Sequence, residues 1–209
     1  EFIFVNDASP DNSLDVARSI AERHEHVSVI DLAINSGPHR AIMTGLAYAT
    51  GDHVFVMDSD LDDLPEWITS FHAVMRQEQC DVVYGLVKSY QRNAVYRLAR
   101  RGFHFLLGLI SDIPFQANIS SARLMSKRYV RSLLLFTERE IWMGGIWHMT
   151  GFKQVPVEVD KVQGSPTTFS TAQLFALLIN AVTAFSTRPL SIISVFGIGI
   201  SLIAFAFTL

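Results

Sequence analysis

The chain has 209 residues, enough for one domain with a sizeable hydrophobic core. Its formal net charge of −3 gives no support to non-specific nucleic-acid binding. Its single cysteine, Cys80, excludes an internal disulfide and fits a reducing compartment. Apolar residues make up 49% of the chain, and they are concentrated near the C-terminus, where Arg188 is the one charged residue after Lys161.

The first part of the chain, residues 1–85, alternates between short apolar runs and segments with helical periodicity. Strands are predicted over residues 2–5, 27–32, 53–57 and 81–85. Of the helices between them, the first begins at Ser9-Pro10, the second follows a turn at 35–38 and has an apolar face between Ala41 and Ala49, and the third begins at Pro65. Strands and helices that alternate in this way form a parallel sheet with helices on both faces. Ligands of such sheets bind beyond the carboxyl ends of the strands. The sequence therefore predicts an α/β fold with a binding crevice at that edge.

The second part of the chain is predicted to be mainly helical. Helices are expected over 93–111, where Arg97, Arg100 and Arg101 lie, over two short stretches in 127–149, and over 171–187, with an edge strand at 152–160 and a loop at 162–170. Residues 189–209 carry no charge, and at about 1.5 Å per residue they span roughly 30 Å, the thickness of a bilayer core. We predict a transmembrane helix there, with a buried core helix as the alternative. Both ends of the sequence lie inside apolar runs, so we interpret the chain as a fragment.

The third predicted strand leads directly into four acidic residues, in VFVMDSDLDD at 54–63. Asp58 and Asp60 leave the strand end at neighbouring angles. Mg²⁺ and Mn²⁺ typically bind one or two carboxylates together with the phosphates of a ligand, so this pair is the predicted metal site. Asp62 is expected either to bind the metal or to lie in a solvated turn. Asp63 is expected to lie in such a turn and to cap the helix that follows.

Two other strand ends or turns carry polar residues suited to a ligand. Asp7, at the end of the first strand, is suited to accept hydrogen bonds from a nucleobase or a ribose hydroxyl, or else to cap the next helix. In the turn that begins at Asn35, Gly37 allows close approach of the backbone. Arg40 is suited to contact phosphate, with an ordinary surface charge as the alternative.

Together these residues resemble the family 2 inverting glycosyltransferases, specifically the membrane-anchored dolichyl- or polyprenyl-phosphate sugar transferases of bacterial type. The matching stretches are Asp7 to Asp11 (D-x-S-x-D), Asn35 to Gly45 (N-x-G-x-x-x-A-x-x-x-G), Thr50 to Asp52 (T-G-D), Asp58 to Glu66 (D-x-D-L-x-x-x-P-E), Ala122 to Lys127 (compared with F-R-L-M-S-R), Thr150 to Val157, Gly164 to Phe169 and Phe185 to Leu190. The ordered set covers nearly the whole chain and is more specific than any one of its parts.

The resemblance implies a domain organisation. Residues 1–168 would form a catalytic domain of GT-A type, a Rossmann-like and mostly parallel sheet with helices on both faces that lacks the family's first strand. Residues 169–188 would form an interfacial, juxtamembrane helix, followed by a truncated transmembrane helix over 189–209.

The resemblance also implies a reaction, the transfer of one sugar from a nucleotide-diphosphate sugar to a lipid phosphate such as undecaprenyl or dolichyl phosphate. A Mg²⁺ or Mn²⁺ ion at Asp58 and Asp60 would bridge the diphosphate and, as a Lewis acid, stabilise the charge of the leaving nucleoside diphosphate. The donor would be bound by Asp58 together with Asp7, Asn35, Gly37 and Arg40.

An acceptor phosphate is already ionised near neutral pH, so it needs cations more than it needs a general base. The motif match, and not the residue pattern by itself, makes Arg123 the cation expected there, with a surface charge at a helix end as the alternative. Arg97, Lys161 and Ser165 are further candidates for the acceptor phosphate. The resemblance implies that Glu138 lies near the acceptor as a catalytic residue, with a helix cap as the alternative.

The chain departs from the family pattern in the loop over 162–170, because no Lys or Arg follows Gly164 and Lys161 precedes it. The Q-x-x-R-W sequence of processive polysaccharide synthases is absent, which disfavours processive synthesis.

The predicted partners are therefore a nucleotide-sugar donor, a lipid-phosphate acceptor and a membrane; a homo-oligomer is left open and nucleic acid is not expected. The chain is expected at the bacterial inner membrane, with the catalytic domain in the cytoplasm. Three alternatives remain: transfer to a saccharide or protein acceptor, an inactive membrane-anchored scaffold that binds nucleotide and metal, and a membrane-anchored sensor or receiver domain. The sugar and the nucleobase are not specified by the sequence.

Overall fold

The computed structural model describes residues 1–60, 62–87, 119–137, 143–160 and 188–208. The chain divides into two compact units. One unit consists of Glu1–Lys88 and Asn118–Ser165, and the other of Ser89–Ala117 and Pro166–Leu209. The first unit carries the predicted binding crevice.

The described residues of the first unit alternate between strands and helices. They form β1 (Phe2–Asn6), α1 (Ser13–Ala21), β2 (Val27–Asp31), α2 (Pro38–Tyr48), β3 (His53–Val56), α3 (Trp67–Glu78), β4 (Val82–Val87), β5 (Ile119–Ser126), α4 (Lys127–Leu133), α5 (Met143–Met149) and β6 (Gln154–Val159). The alternation predicted over residues 1–85 is confirmed. So are the two short helices within 127–149 and the strand within 152–160.

These strands form two sheets. β1 and β2 pair in parallel, and the other four strands are arranged in the order β3-β5-β4-β6. β5 runs antiparallel to both of its neighbours, whereas β6 is parallel to β4. β6 lies at the edge of its sheet, as its Pro156 predicts, because proline has no N–H to donate to a neighbouring strand.

The prediction of a mostly parallel sheet is wrong for the second sheet, which is mixed. No strand is expected from the sequence at 119–126, because Ser120, Arg123 and Ser126 interrupt its apolar pattern. The tertiary structure nevertheless buries this segment, with Ser120, Ala122 and Arg123 all almost inaccessible to solvent. As a result β3 and β4 do not pair with each other, and β5 lies between them.

The core of the first unit lies between α3 and one face of the second sheet. Phe71 of α3 is fully buried against Val83 of β4 and Leu124 of β5, in one cluster with Met75 and Cys80. Fully burying a side chain such as Phe71 stabilises the fold by about 1.5–3 kcal/mol. The edge of the mixed sheet that carries the acidic stretch is therefore supported by a packed core.

The first helix begins later than predicted. α1 starts at Ser13 with Asn12 at its N-cap position, and not at Ser9-Pro10. Ala8 has a φ of 53° in the left-handed region, and the Ser9 N–H donates to Asn6 Oδ1 at 3.3 Å. A turn therefore separates β1 from α1, and Ser9 is part of that turn and does not cap the helix.

The described part of the second unit is one helix, α6 (Arg188–Thr208). No helix in the described part of the chain is both long enough and apolar enough to cross a membrane. The segment predicted to be a transmembrane helix, residues 189–209, is thus helical up to Thr208, but the described helix does not qualify as a membrane span.

Several predicted segments lie outside the described residues. They are the helices over 93–111 and 171–187, with them most of the interfacial helix over 169–188, and the loop over 162–170. The predicted domain boundaries at 168 and 188 stay predictions.

Candidate functional site

Asp58 and Asp60 lie on the surface just beyond the end of β3. Asp58 Oδ2 accepts a hydrogen bond from Ser121 Oγ at 2.6 Å, and Asp60 Oδ1 accepts one from the backbone N–H of Asp62 at 3.0 Å. Each carboxylate keeps a second oxygen that makes no hydrogen bond to the described residues. The two acids therefore lie at the carboxyl end of a sheet strand, as the sequence predicts, with acceptor oxygens available to a ligand.

The same acidic stretch also contains a carboxylate that is completely buried, Asp63. Its Oδ1 accepts a hydrogen bond from Ser120 Oγ at 2.5 Å, and its Oδ2 accepts from Ser121 Oγ at 2.9 Å and from the Ala122 N–H at 3.2 Å. These donors belong to β5. A buried carboxylate with several donors is stabilised as an acceptor in one position.

The expectation that Asp63 lies in a solvated turn and caps α3 is therefore wrong. The residue at the N-cap position of α3 is Glu66. Asp63 instead joins the acidic loop to β5. Asp62 is also buried, so the solvated turn considered for it is excluded. The sequence offered no signal for this contact, since its donors lie in a strand that was not predicted.

The carboxylates of Asp58 and Asp60 fit a divalent cation that takes only some of its ligands from the protein. Mg²⁺ usually binds one or two carboxylates and completes its coordination with water and ligand phosphates. Among the residues whose placement is described, no three His, Cys, Asp or Glu side chains are grouped so as to hold a metal ion. The pair therefore suits an ion shared with a phosphate ligand, and does not form a closed protein site.

Asp7 organises the turn that precedes α2. Its Oδ1 accepts a hydrogen bond from the Ser36 N–H at 2.7 Å, and its Oδ2 accepts one from the Gly37 N–H at 2.8 Å. Gly37 has a φ of 85°, in the left-handed region that favours glycine. Asp7 thus joins the end of β1 to this turn and does not cap α1. Asn35, in the turn, and Arg40, in the first turn of α2, are both exposed on the same part of the molecule.

Arg123 lies in the middle of β5 with only 1% of its surface exposed. Its guanidinium carbon lies 3.7 Å from the centroid of the Trp147 ring and 5.0 Å from that of Tyr84, and Nη1 donates to Gln154 Oε1 at 3.0 Å. Nε has no hydrogen-bond partner among the described residues. Burial lowers the pKa of Arg123 to about 10, so the side chain is still cationic at neutral pH.

The alternative that Arg123 is a surface charge at a helix end is therefore wrong, because neighbouring strands and α5 cover it. Its backbone pairs with Val56, two residues before Asp58. The guanidinium, however, contacts Gln154, which pairs with Val82 at the start of β4, so it is directed away from the end of the sheet that carries the acidic stretch. The role of Arg123 at an acceptor phosphate stays a prediction. Four other predicted residues lie outside the described part of the chain: Arg97, Glu138, Lys161 and Ser165.

Comparison with known protein families matches residues 1–134 to glycosyl transferase family 2. A Mycobacterium tuberculosis (strain CDC 1551 / Oshkosh) protein whose name describes it as a glycosyltransferase is 39% identical over 204 residues. These residues cover 98% of this chain and 60% of that protein. The prophage bactoprenol glucosyl transferase homolog of Escherichia coli (strain K12) is 32% identical over 214 residues, or 99% of this chain and 68% of that protein. The chain thus spans about two thirds or less of these two relatives.

A solved structure supports the fold. The crystal structure of S. aureus TarS 1-349 matches with a TM-score of 0.50 and 15% sequence identity, over 75% of this chain and 48% of that chain. The α/β arrangement with a mixed sheet is accordingly GT-A-like. The family match and the identity over nearly the whole chain confirm the resemblance seen in the motifs. The chain belongs to glycosyl transferase family 2.

Proposed function

We propose that the protein transfers one sugar, with inversion, from a nucleotide-diphosphate sugar to a polyprenyl phosphate. The observation that carries the proposal is the pair of exposed carboxylates, Asp58 and Asp60, just beyond the carboxyl end of β3. Family membership supports the reaction type. The acceptor is supported by relatives named bactoprenol glucosyl transferase, at 31–32% identity over nearly the whole chain.

The donor half of the proposed site consists of the acidic stretch and the turn before α2. Mg²⁺ or Mn²⁺ bound at Asp58 and Asp60 would supply Lewis-acid stabilisation of the charge on the leaving diphosphate. Asp7 accepts hydrogen bonds from the Ser36 and Gly37 N–H groups and so holds the turn before α2 in place. We propose that Asn35 and Arg40 bind the donor from this turn.

For the acceptor phosphate we propose Arg123 as the source of positive charge. Its guanidinium is cationic at neutral pH and makes no ion pair with a carboxylate in the described part of the chain. Because Arg123 is covered by Trp147, we propose that it acts through its electrostatic potential more than through direct contact. Arg97, Lys161 and Ser165 are the proposed direct contacts, and Glu138 is proposed near the acceptor.

A lipid acceptor requires that the protein works at a membrane. Apolar side chains of α6 are exposed along its length, including Val195 at 70%, Phe196 at 69% and Phe207 at 90%. We propose that α6 contacts the bilayer surface or its interior. Since nucleotide sugars are made in the cytoplasm, we place the first unit on the cytoplasmic side of the bacterial inner membrane.

The test is a transfer assay on the full-length protein in membranes. The protein is incubated with polyprenyl phosphate, Mn²⁺ and a panel of labelled nucleotide sugars, and the label is then extracted into an organic phase. We expect lipid-extractable label with at least one donor, its loss on chelation, and its loss in the Asp60→Asn variant. Asp52→Asn is the matched control, because this carboxylate is 91% exposed and lies before β3.

The alternatives give different outcomes in the same assay. Label that stays with a saccharide or protein in the aqueous phase would favour a different acceptor. Full activity of the Asp60→Asn variant would refute the metal role of the acidic pair. Binding of nucleoside diphosphate and Mn²⁺ in calorimetry without transfer to any acceptor would favour an inactive scaffold.

A further inference from the structure

Ser121 lies between two carboxylates of the acidic stretch. Its Oγ is 2.6 Å from Asp58 Oδ2 and 2.9 Å from Asp63 Oδ2. A serine hydroxyl carries a single hydrogen, so it donates fully to one of these oxygens at a time. One side chain of β5 therefore connects the exposed carboxylate at the surface to the buried one below it.

The two carboxylates differ in how firmly they are held. Asp63 is completely buried and has two further donors, Ser120 Oγ and the Ala122 N–H, so its position is determined by the core. Asp58 is exposed, and Ser121 is its one hydrogen-bond donor among the described residues. Without that contact, the Asp58 side chain would be free to exchange between rotamers in water.

We propose that Asp63 and Ser121 are positioning residues for Asp58. Asp63 keeps the Ser121 hydroxyl beside Asp58, and when that hydroxyl donates to Asp58 Oδ2 it leaves Oδ1, which has no described partner, for a cation. The inference depends on the proposed function, because it assumes that Asp58 is a metal ligand. Its physical basis is preorganisation: an ordered ligand loses less side-chain entropy when the metal binds.

Ser120 provides a matched control for this role. It neighbours Ser121 in β5, has the same side chain and donates to the same carboxylate, yet it has no hydrogen bond to Asp58. Ser120→Ala therefore removes one donor to Asp63 and one acceptor of the Ala122 N–H, and it leaves the hydrogen bonds from Ser121 Oγ and the Ala122 N–H to Asp63. Ser121→Ala removes the link to Asp58 as well.

The experiment measures Mn²⁺ binding to the full-length protein. Free Mn²⁺ is followed by electron paramagnetic resonance in the presence of uridine, guanosine or thymidine diphosphate, and thermal unfolding is recorded in parallel. We expect Ser121→Ala to raise the Mn²⁺ concentration for half-saturation about 10-fold, as loss of a supporting hydrogen bond behind a metal ligand usually does. Ser121→Thr, which keeps the hydroxyl, should restore wild-type binding.

Ser120→Ala should lower the melting temperature, because it removes a buried hydrogen bond, while its half-saturation stays within about twofold of wild type. Equal effects of the two alanine variants on Mn²⁺ binding, or no effect of either, would overturn the positioning role while the proposed function stands. If the wild-type protein binds no Mn²⁺ with any of the three diphosphates, the proposed metal site itself is refuted, and the positioning role is refuted with it.

Discussion

Arg123 places a positive charge inside a β-strand, where removal from water is costly. The faces of the Trp147 and Tyr84 rings offset part of that cost through cation–π attraction, and Gln154 accepts one hydrogen bond. Burial lowers its pKa to about 10, below the usual value for an arginine. The folded state therefore disfavours the charged form, and this destabilisation is relieved only as the pH rises past about 10. A charge kept at such a cost points to a functional role.

At the residue scale, we predict that Arg123→Met lowers the transfer activity without lowering the free energy of unfolding. Replacing a buried, incompletely paired cation by an apolar side chain of similar length should leave the free energy of unfolding unchanged or raise it by about 1 kcal/mol. Transfer to the lipid acceptor should fall strongly, because the positive potential is lost. Urea unfolding and the lipid-extraction assay measure the two effects.

Arg131→Met serves as the control, since Arg131 is an exposed arginine in the last turn of α4 and should change neither quantity. A loss of more than about 2 kcal/mol in Arg123→Met, with normal transfer activity, would mean that the arginine is only a packing residue.

At the scale of elements, Asp81 joins the start of β4 to the end of β5 and to α4. Its carboxylate accepts hydrogen bonds from Ser126 Oγ at 2.7 Å and from the guanidinium of Arg128. The pKa of Asp81 is lowered from 3.8, chiefly by the hydrogen bond from Arg128 and also by that from Ser126. The junction that holds β5 in the sheet therefore contains an ionised carboxylate.

This junction predicts a specific pH dependence. A carboxyl group whose pKa is lower in the folded state contributes stability above the unfolded pKa near 3.8, and that stability is lost as the pH falls through the lower folded value. Asp81→Asn should cost about 1–3 kcal/mol at pH 7. The cost should shrink as the pH falls below about 4, because the carboxyl group is protonated first in the unfolded wild-type chain and in the folded chain only at its lower pKa.

Urea unfolding of wild type and Asp81→Asn between pH 7 and pH 3 measures this convergence. Asp52→Asn is again the control and should follow the wild-type curve, because the exposed Asp52 side chain has one ion pair among the described residues, with Lys127 at 3.8 Å. A constant difference between wild type and Asp81→Asn over the whole pH range would contradict the electrostatic explanation.

At the scale of the whole molecule, the prediction concerns α6 and the membrane. Each fully buried Ile or Phe contributes about 1.5–3 kcal/mol when transferred from water to an apolar phase. A full-length variant in which Ile193, Phe196 and Ile200 are replaced by serine should therefore bind much less to vesicles of phosphatidylethanolamine and phosphatidylglycerol. These positions share one face of the helix, because they are spaced by three and four residues.

Cosedimentation with the vesicles measures the effect. The control variant replaces three exposed apolar residues of the first unit by serine: Ile34, Tyr48 and Leu135. We expect the control to sediment with vesicles like wild type. Unchanged sedimentation of the α6 variant would show that this helix does not contribute to membrane binding.

Local features of this protein were determined by the sequence alone. The strand–helix alternation of residues 1–85, the acids beyond β3 and the edge position of Pro156 follow from periodicity and from the backbone chemistry of single residues. The family was also evident from short motifs in a fixed order. Each strand, helix and single motif depends on residues that are close together in the sequence.

Only the tertiary structure decided that β5 lies between β3 and β4, that Asp63 is buried, and that Arg123 is enclosed by aromatic rings. Each depends on contacts between distant parts of the chain: Ser120 and Asp63 are 57 positions apart, and Arg123 and Gln154 are 31 apart. A polar side chain has the same local pattern whether it faces water or a buried partner. Its environment is set by which segments pack against it, and that is a property of the whole fold.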